Sequence, residues 1–188
     1  MSSSHSCRIN FSNMPTQEYP ATLITSNVEL IDHFGIPSFN AKLSGANLVT
    51  AVSITVSSKT FITIGGTAFS SYPQKITAIQ SDKKKKTVNS GEMTGSATTG
   101  DIFTTDKGEH AMTLSPVNGD TTILLSFLCK QDSNAADWSY SKGLDLDFTN
   151  HCLNVKGIST VYMFHAQNGE DNHNDCNVVV SLIQAGRK

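Results

Sequence analysis

The feature that most constrains the fold is a run of ten residues, TTILLSFLCK at 121–130, apolar at most of its positions. It has the length of a strand and lacks the polar–apolar alternation of a half-buried one. Such a strand has no face left for water, so it belongs in the middle of a sheet, covered on both sides.

Other segments show a period of two. In Leu48–Val56, the side chains of Leu48, Val52, Ile54 and Val56 share one face, with Ser53 and Thr55 on the other. Residues 60–64 follow Ser57, Ser58 and Lys59 and stop at Gly65 and Gly66, so the two strands are expected to form a hairpin. Shorter strands are expected at 75–80 and 111–114. Residues 143–148 alternate, with Leu144, Leu146 and Phe148 inward and Asp145 and Asp147 outward. Residues 158–164 put Ile158, Thr160, Tyr162 and Phe164 on one side, and residues 177–183 form a last strand.

The intervening segments are rich in turn residues. Pro15, Pro20 and Pro37 oppose a long helix in residues 1–47, and Asn27–His33 reads as a helical turn or a short strand. Lys83, Lys84, Lys85 and Lys86 form a solvated tip, and the Gly-, Ser- and Thr-rich residues 88–110 are expected to be flexible. With no sustained helical period and no internal repeat, the chain is expected to be all-β, an antiparallel, jelly-roll-like β-sandwich. No break divides it, so one domain spans 1–188, with residues 1–47 joining the sandwich or extending from it.

Composition narrows the function classes. Charged residues are only 16%, and the net charge of −2 supplies no field for nucleic acid or an anionic membrane. Four lysines without interleaved aromatics are a poor nucleic-acid signal. No apolar stretch reaches the roughly 18 residues of a spanning helix, so no transmembrane segment is expected. The N-terminal residues lack the basic and apolar regions of a secretory signal. Cytoplasmic synthesis is expected, with release by a non-classical route or loss of an earlier signal as alternatives. Cys7, Cys129, Cys152 and Cys176 form no C-x-x-C pair, and Cys129 reads as a small core residue.

Ligand chemistry is concentrated between the last two strands, where Asn168, Glu170, Asp171, Asn172, Asn174, Asp175 and Asn177 crowd one turn. Carboxylate and amide oxygens close together suit a hard cation such as calcium, which takes about six to eight oxygens. The plain alternative is an Asn/Asp-rich turn whose side chains cap their own backbone. A soft zinc set of His165, His173 and Cys176 also flanks the turn, without a standard spacing. No nucleophile elbow, P-loop or dinucleotide fingerprint is present, so an enzyme is not expected. Trp138 and Tyr140, in a polar loop, either plug the end of the sandwich or offer rings to a sugar or membrane interface.

Gly169 through Asp175, followed by Val178, Val179 and Val180, resembles the calcium loop of the small calcium-dependent fucose/mannose-binding bacterial lectins. In that family a motif of approximately D-x-D-x-N-D precedes a valine-rich final strand. The resemblance covers about 20 of the 188 residues. Matching ligand spacing puts Glu170, Asn172, Asn174 and Asp175 on the four oxygen donors, with one extra residue before the valines. Matching the valines instead puts His173 and Cys176 where the family has aspartates. The resemblance implies a lectin that binds carbohydrate through calcium held by Glu170, Asp171, Asn172, Asn174 and Asp175. Sugar would contact Glu170, Asn172, Asn174 and Asp175, and the protein would be a homo-oligomer. The competing classes are a self-assembling structural, storage or toxin-like β-protein, and a pore former suggested by residues 88–106.

Overall fold

The computed structural model describes residues 21–26, 48–96, 100–130, 132, 134–141, 143–145, 152–155, 159–167 and 175–184. Among them are thirteen strands and no helix. The first seven are β1 (Ala21–Ser26), β2 (Leu48–Val56), β3 (Thr60–Ala68), β4 (Gln74–Ser81), β5 (Thr87–Gly95), β6 (Asp101–Ile102) and β7 (Met112–Leu114). There follow β8 (Thr121–Cys129), β9 (Ser139–Tyr140), β10 (Gly143–Asp145), β11 (Cys152–Val155), β12 (Ser159–Gln167) and β13 (Cys176–Gln184). The segment Asn27–His33 lies outside the described residues.

These strands make two antiparallel sheets. One runs β1-β2-β8-β4-β5 with β9 added beside β8; the other runs β10-β12-β13-β3-β6, with β11 beside β12 and β7 beside β3. The inward faces meet in one core, to which β2 gives Val52, Ile54 and Val56, β8 gives Ile123, Leu125 and Phe127, and β13 gives Val178, Val180 and Leu182. Phe127 of the first sheet and Phe164 of the second meet across it, ring centroids 6.0 Å apart and tilted by 58°. The fold is the expected antiparallel β-sandwich.

The apolar run at 121–130 is the middle of the first sheet. β8 lies between β2 and β4, and Leu124 and Leu128 on its outer side are as buried as Ile123 and Phe127 on its inner side. Where β2 stops pairing, at Ser126, β9 takes its place opposite Leu128 and Cys129. The pattern on β12 also holds, with Thr160, Tyr162, Phe164 and Ala166 buried and the residues between them half-exposed.

Two expectations are overturned. β2 and β3 are not a hairpin, because residues 57–59 carry the chain from one sheet to the other. Lys59 takes a left-handed φ of 60°. Its amide donates to the Val117 carbonyl (2.8 Å), while the Thr60 hydroxyl donates to the Ser57 carbonyl (2.8 Å). Both neighbours of β2 are β1 and β8, and β3 is paired to β13 and β7. Periodicity tells which face is apolar, not which strand lies alongside.

The described residues of 88–110 include paired strands where an open loop was expected. β5 pairs with β4 along its whole length, and Thr94 exchanges backbone hydrogen bonds of 2.9 Å with Thr104. The strand is an edge, so it needs little apolar surface; fully buried Met93 anchors it, and Phe103 anchors the segment after it. The lysine tip is a tight turn in which Asp82 Oδ1 accepts from the amides of Lys84 and Lys86.

Candidate functional site

β12 and β13 are paired from Ser159↔Ile183 to Ala166↔Cys176. The pairing is closed by the Asp175 amide, which donates to the Ala166 carbonyl at 2.9 Å. Residues 168–174 connect the two strands at one end of the sandwich. Glu170, Asp171, Asn172 and Asn174 lie in that connection, outside the described residues. Asp175, the remaining member of the predicted set, is half-buried at the root of β13.

The adjacent elements bring aromatic residues to the same place. The register of β13 on β3 sets Cys176 opposite Ala68. One residue beyond, the Phe69 amide donates to the Asp175 carbonyl at 2.7 Å. Phe69 is 41% exposed, and Tyr72, in the same connection to β4, is 48% exposed. Gly100 makes room for the Phe69 ring, since a Cβ there would sit 3.1 Å from its Cε1. Sequence reasoning passed over both residues, because a Tyr-Pro break between strands reads as ordinary loop. Two aromatics three residues apart in a connection were the available signal.

The second sheet's outer face leads up to the turn. His165 and Asn177 are cross-strand partners, and the His165 Nδ1–H donates to Asn177 Oδ1 at 2.5 Å. Asp145 pairs with His165 from the other side.

The alternation of β13 sorts the donor chemistry. Cys176 points into the core, where burial, more than the nearby Asp175 charge, pushes its thiol up to about 12. A thiol held that far from ionisation is a poor metal ligand. His165 stands on the outer face and Cys176 on the inner, so the soft zinc trio is ruled out by the pleat. The valine-matched register likewise places a core thiol where an aspartate ligand is needed. Among the described residues no three His, Cys, Asp or Glu side chains gather in a group that could hold a metal. The carboxylates and amides that the sequence places in the turn are hard oxygen donors, the kind that suits a hard cation.

The other aromatic pair divides in role. Burial pushes the Tyr140 phenol up to about 12, with the Ser126 hydroxyl partly offsetting the shift. Tyr140 is the plug. Trp138 carries two ammonium groups near its ring, Lys75 Nζ at 4.7 Å and Lys130 Nζ at 5.4 Å from the centroid. Lys75 also pairs with Glu92 at 3.1 Å. The ring is thus engaged by its own protein on the first sheet's outer side.

No family model matches the sequence, and no curated protein does. Among solved structures, the chain is similar to a high-affinity mannose-binding lectin of Ralstonia solanacearum. That likeness has 17% identity and a TM-score of 0.47, covering 69% of this chain and 93% of the lectin. It is also similar to the C-terminal domain of the BC2L-C lectin of Burkholderia cenocepacia, at 12% identity and a TM-score of 0.42, covering 69% of this chain and 92% of that one. Likenesses this loose carry no argument about function.

Proposed function

We infer that the chain is a non-enzymatic carbohydrate-binding protein whose site is the turn between β12 and β13. The observation that carries this reading is the Phe69–Asp175 hydrogen bond, which fixes an exposed aromatic ring beside the turn richest in oxygen donors. Sugars present both an apolar ring face and vicinal hydroxyls, so an aromatic surface next to hard-oxygen ligands addresses both.

In this reading Glu170, Asp171, Asn172, Asn174 and Asp175 hold calcium, and sugar meets Glu170, Asn172, Asn174 and Asp175. Bound calcium would supply a positive centre for neutral hydroxyl oxygens. Amide ligands add oxygen without adding charge, which lowers affinity for the ion and leaves it more electron-poor toward sugar. Phe69 and Tyr72 supply the apolar side of the contact. Asp175, held through its own backbone by both Ala166 and Phe69, is the fixed post of the site.

The test is a thermal melt of metal-stripped protein in EDTA and in millimolar calcium, followed by a glycan screen. Calcium should raise the midpoint through preferential binding to the native state. Glu170→Gln/Asp175→Asn protein should lose that rise, and EDTA should abolish glycan capture. No rise at saturating calcium would overturn the metal-dependent reading, and no capture of any glycan would overturn the lectin.

A further inference from the structure

We propose that the end of the sandwich opposite the acidic turn is a docking surface for an anionic phospholipid bilayer. β13 runs from the turn at Cys176 to Gln184, which lies opposite Thr60. Three connections meet at that end: residues 57–59 between β2 and β3, 82–86 between β4 and β5, and 115–120 between β7 and β8. The Lys59 amide donates to the Val117 carbonyl, the Gly119 amide donates to the Ser58 hydroxyl at 2.9 Å, and Lys83 Nζ pairs with Asp120 Oδ2 at 3.2 Å. Together the connections carry Lys59, Lys83, Lys84, Lys85 and Lys86, all exposed, against the two acids Asp82 and Asp120. Asp82 Oδ1 already accepts from the Lys84 and Lys86 amides, and Asp120 is held by Lys83. Among the described residues, Lys59, Lys84 and Lys86 make no ion pair.

Backbone conformation singles out two of these lysines. Lys59 and Lys85 have φ of 60° and 63°, and among the described residues no other non-glycine residue has a positive φ. Glycine adopts that conformation without the steric cost that an L side chain meets. What lysine brings to both positions, and glycine would not, is an ammonium group held at the tip. The whole-chain charge of −2 does not cancel it. Salt screens charges beyond about 10 Å, so a surface in contact with this end meets the lysines and not the distant acids.

The occupant is a bilayer and not a soluble polyanion, because apolar side chains stand beside the lysines. Phe61, two residues after Lys59, is 47% exposed, and its cross-strand partner Ile183 is 46% exposed. Val88, two residues after Lys86, is exposed as well. A bilayer with acidic headgroups offers both a negative surface and an acyl boundary for apolar groups. Stable anchoring there takes two signals, such as an apolar group and a polybasic patch. Nucleic acid would require rings interleaved among the lysines, and residues 82–86 have none. Docked by this end, the molecule points the turn between β12 and β13 away from the bilayer. This inference does not rest on sugar binding.

The experiment is cosedimentation of the full chain with vesicles of phosphatidylcholine alone and of equal phosphatidylcholine and phosphatidylserine. EDTA is present throughout, so that calcium cannot bridge the acidic turn to lipid. The native protein should pellet with the mixed vesicles only, and high salt should release it. Lys59→Gln/Lys84→Gln/Lys86→Gln protein should partition roughly a hundredfold more weakly, each lysine at such a surface contributing about fivefold. Phe61→Ser/Ile183→Ser should weaken partitioning roughly tenfold and leave its salt dependence unchanged. Lys107→Gln, at an exposed lysine in the turn after the Thr94–Thr104 bridge, should have no effect. Native protein left in the supernatant with mixed vesicles overturns the proposal, even if a sulfated polysaccharide retains it. Equal pelleting with both kinds of vesicle, or pelleting that survives all these substitutions, overturns it as well.

Discussion

The amide of Phe69 and the carbonyl of Asp175 are joined by a 2.7 Å hydrogen bond, one residue past the last register pair of β3 and β13. The link uses only backbone atoms, so the Phe69 ring is free of any duty in holding the strands. Phe69→Ala should therefore leave the thermal midpoint and its calcium response close to native. Affinity for a captured glycan should fall about tenfold or less, the worth of one aromatic contact. Titration calorimetry reads the affinity, and a lost calcium response in this variant would mean that the ring also organises the turn.

Gly66 tests the neighbouring register. A Cβ at this position would collide with the carbonyl oxygen of Asn177. A backbone oxygen cannot swing aside, so Gly66→Ala must move β13 off β3. Strain of this kind typically costs about 1–3 kcal/mol, read as a lower urea midpoint. Because β13 begins beside Asp175, the calcium-induced rise should shrink in the same protein.

These two glycine and aromatic positions show where the sequence is legible. The apolar run of β8 and the alternation of β12 reveal burial directly, because burial is a property of one strand's own side chains. Pairing is a property of two strands. The three residues after Val56 look like a hairpin turn, and only the competition of β8 and β13 for the two strands shows that they cross between sheets. β5 is hidden for a related reason: its partner β4 satisfies its backbone, and a single buried side chain, Met93, anchors it. The acidic turn stands out by composition. Phe69 does not, since nothing local says that its amide will meet Asp175.

Core packing makes a stability prediction. Phe164 is fully buried, stacked beside Tyr162 at 6.0 Å and tilted against Phe127 across the sandwich at the same centroid distance. Phe164→Ala removes the contact between the sheets and leaves a cavity that rigid strands cannot close. The expected loss is about 3–5 kcal/mol, measured by urea unfolding. Phe164→Leu should recover part of it.

Tyr140 makes an alkaline prediction. Its phenol is raised from 10.0 to about 12, chiefly by burial. The folded protein holds this proton more tightly than the unfolded chain does. Its contribution to stability is therefore complete below pH 10 and is lost as the pH rises through the folded value near 12. Tyr140→Phe cannot ionise at this position, so its stability should fall less steeply than native across that window, and the highest-titrating step should vanish from its phenolate absorbance curve. Urea midpoints measured at successive pH values compare the two proteins. Parallel decline in both would mean that the native phenol ionises without unfolding anything, and that the pocket formed by β9 against Ser126 admits the charge.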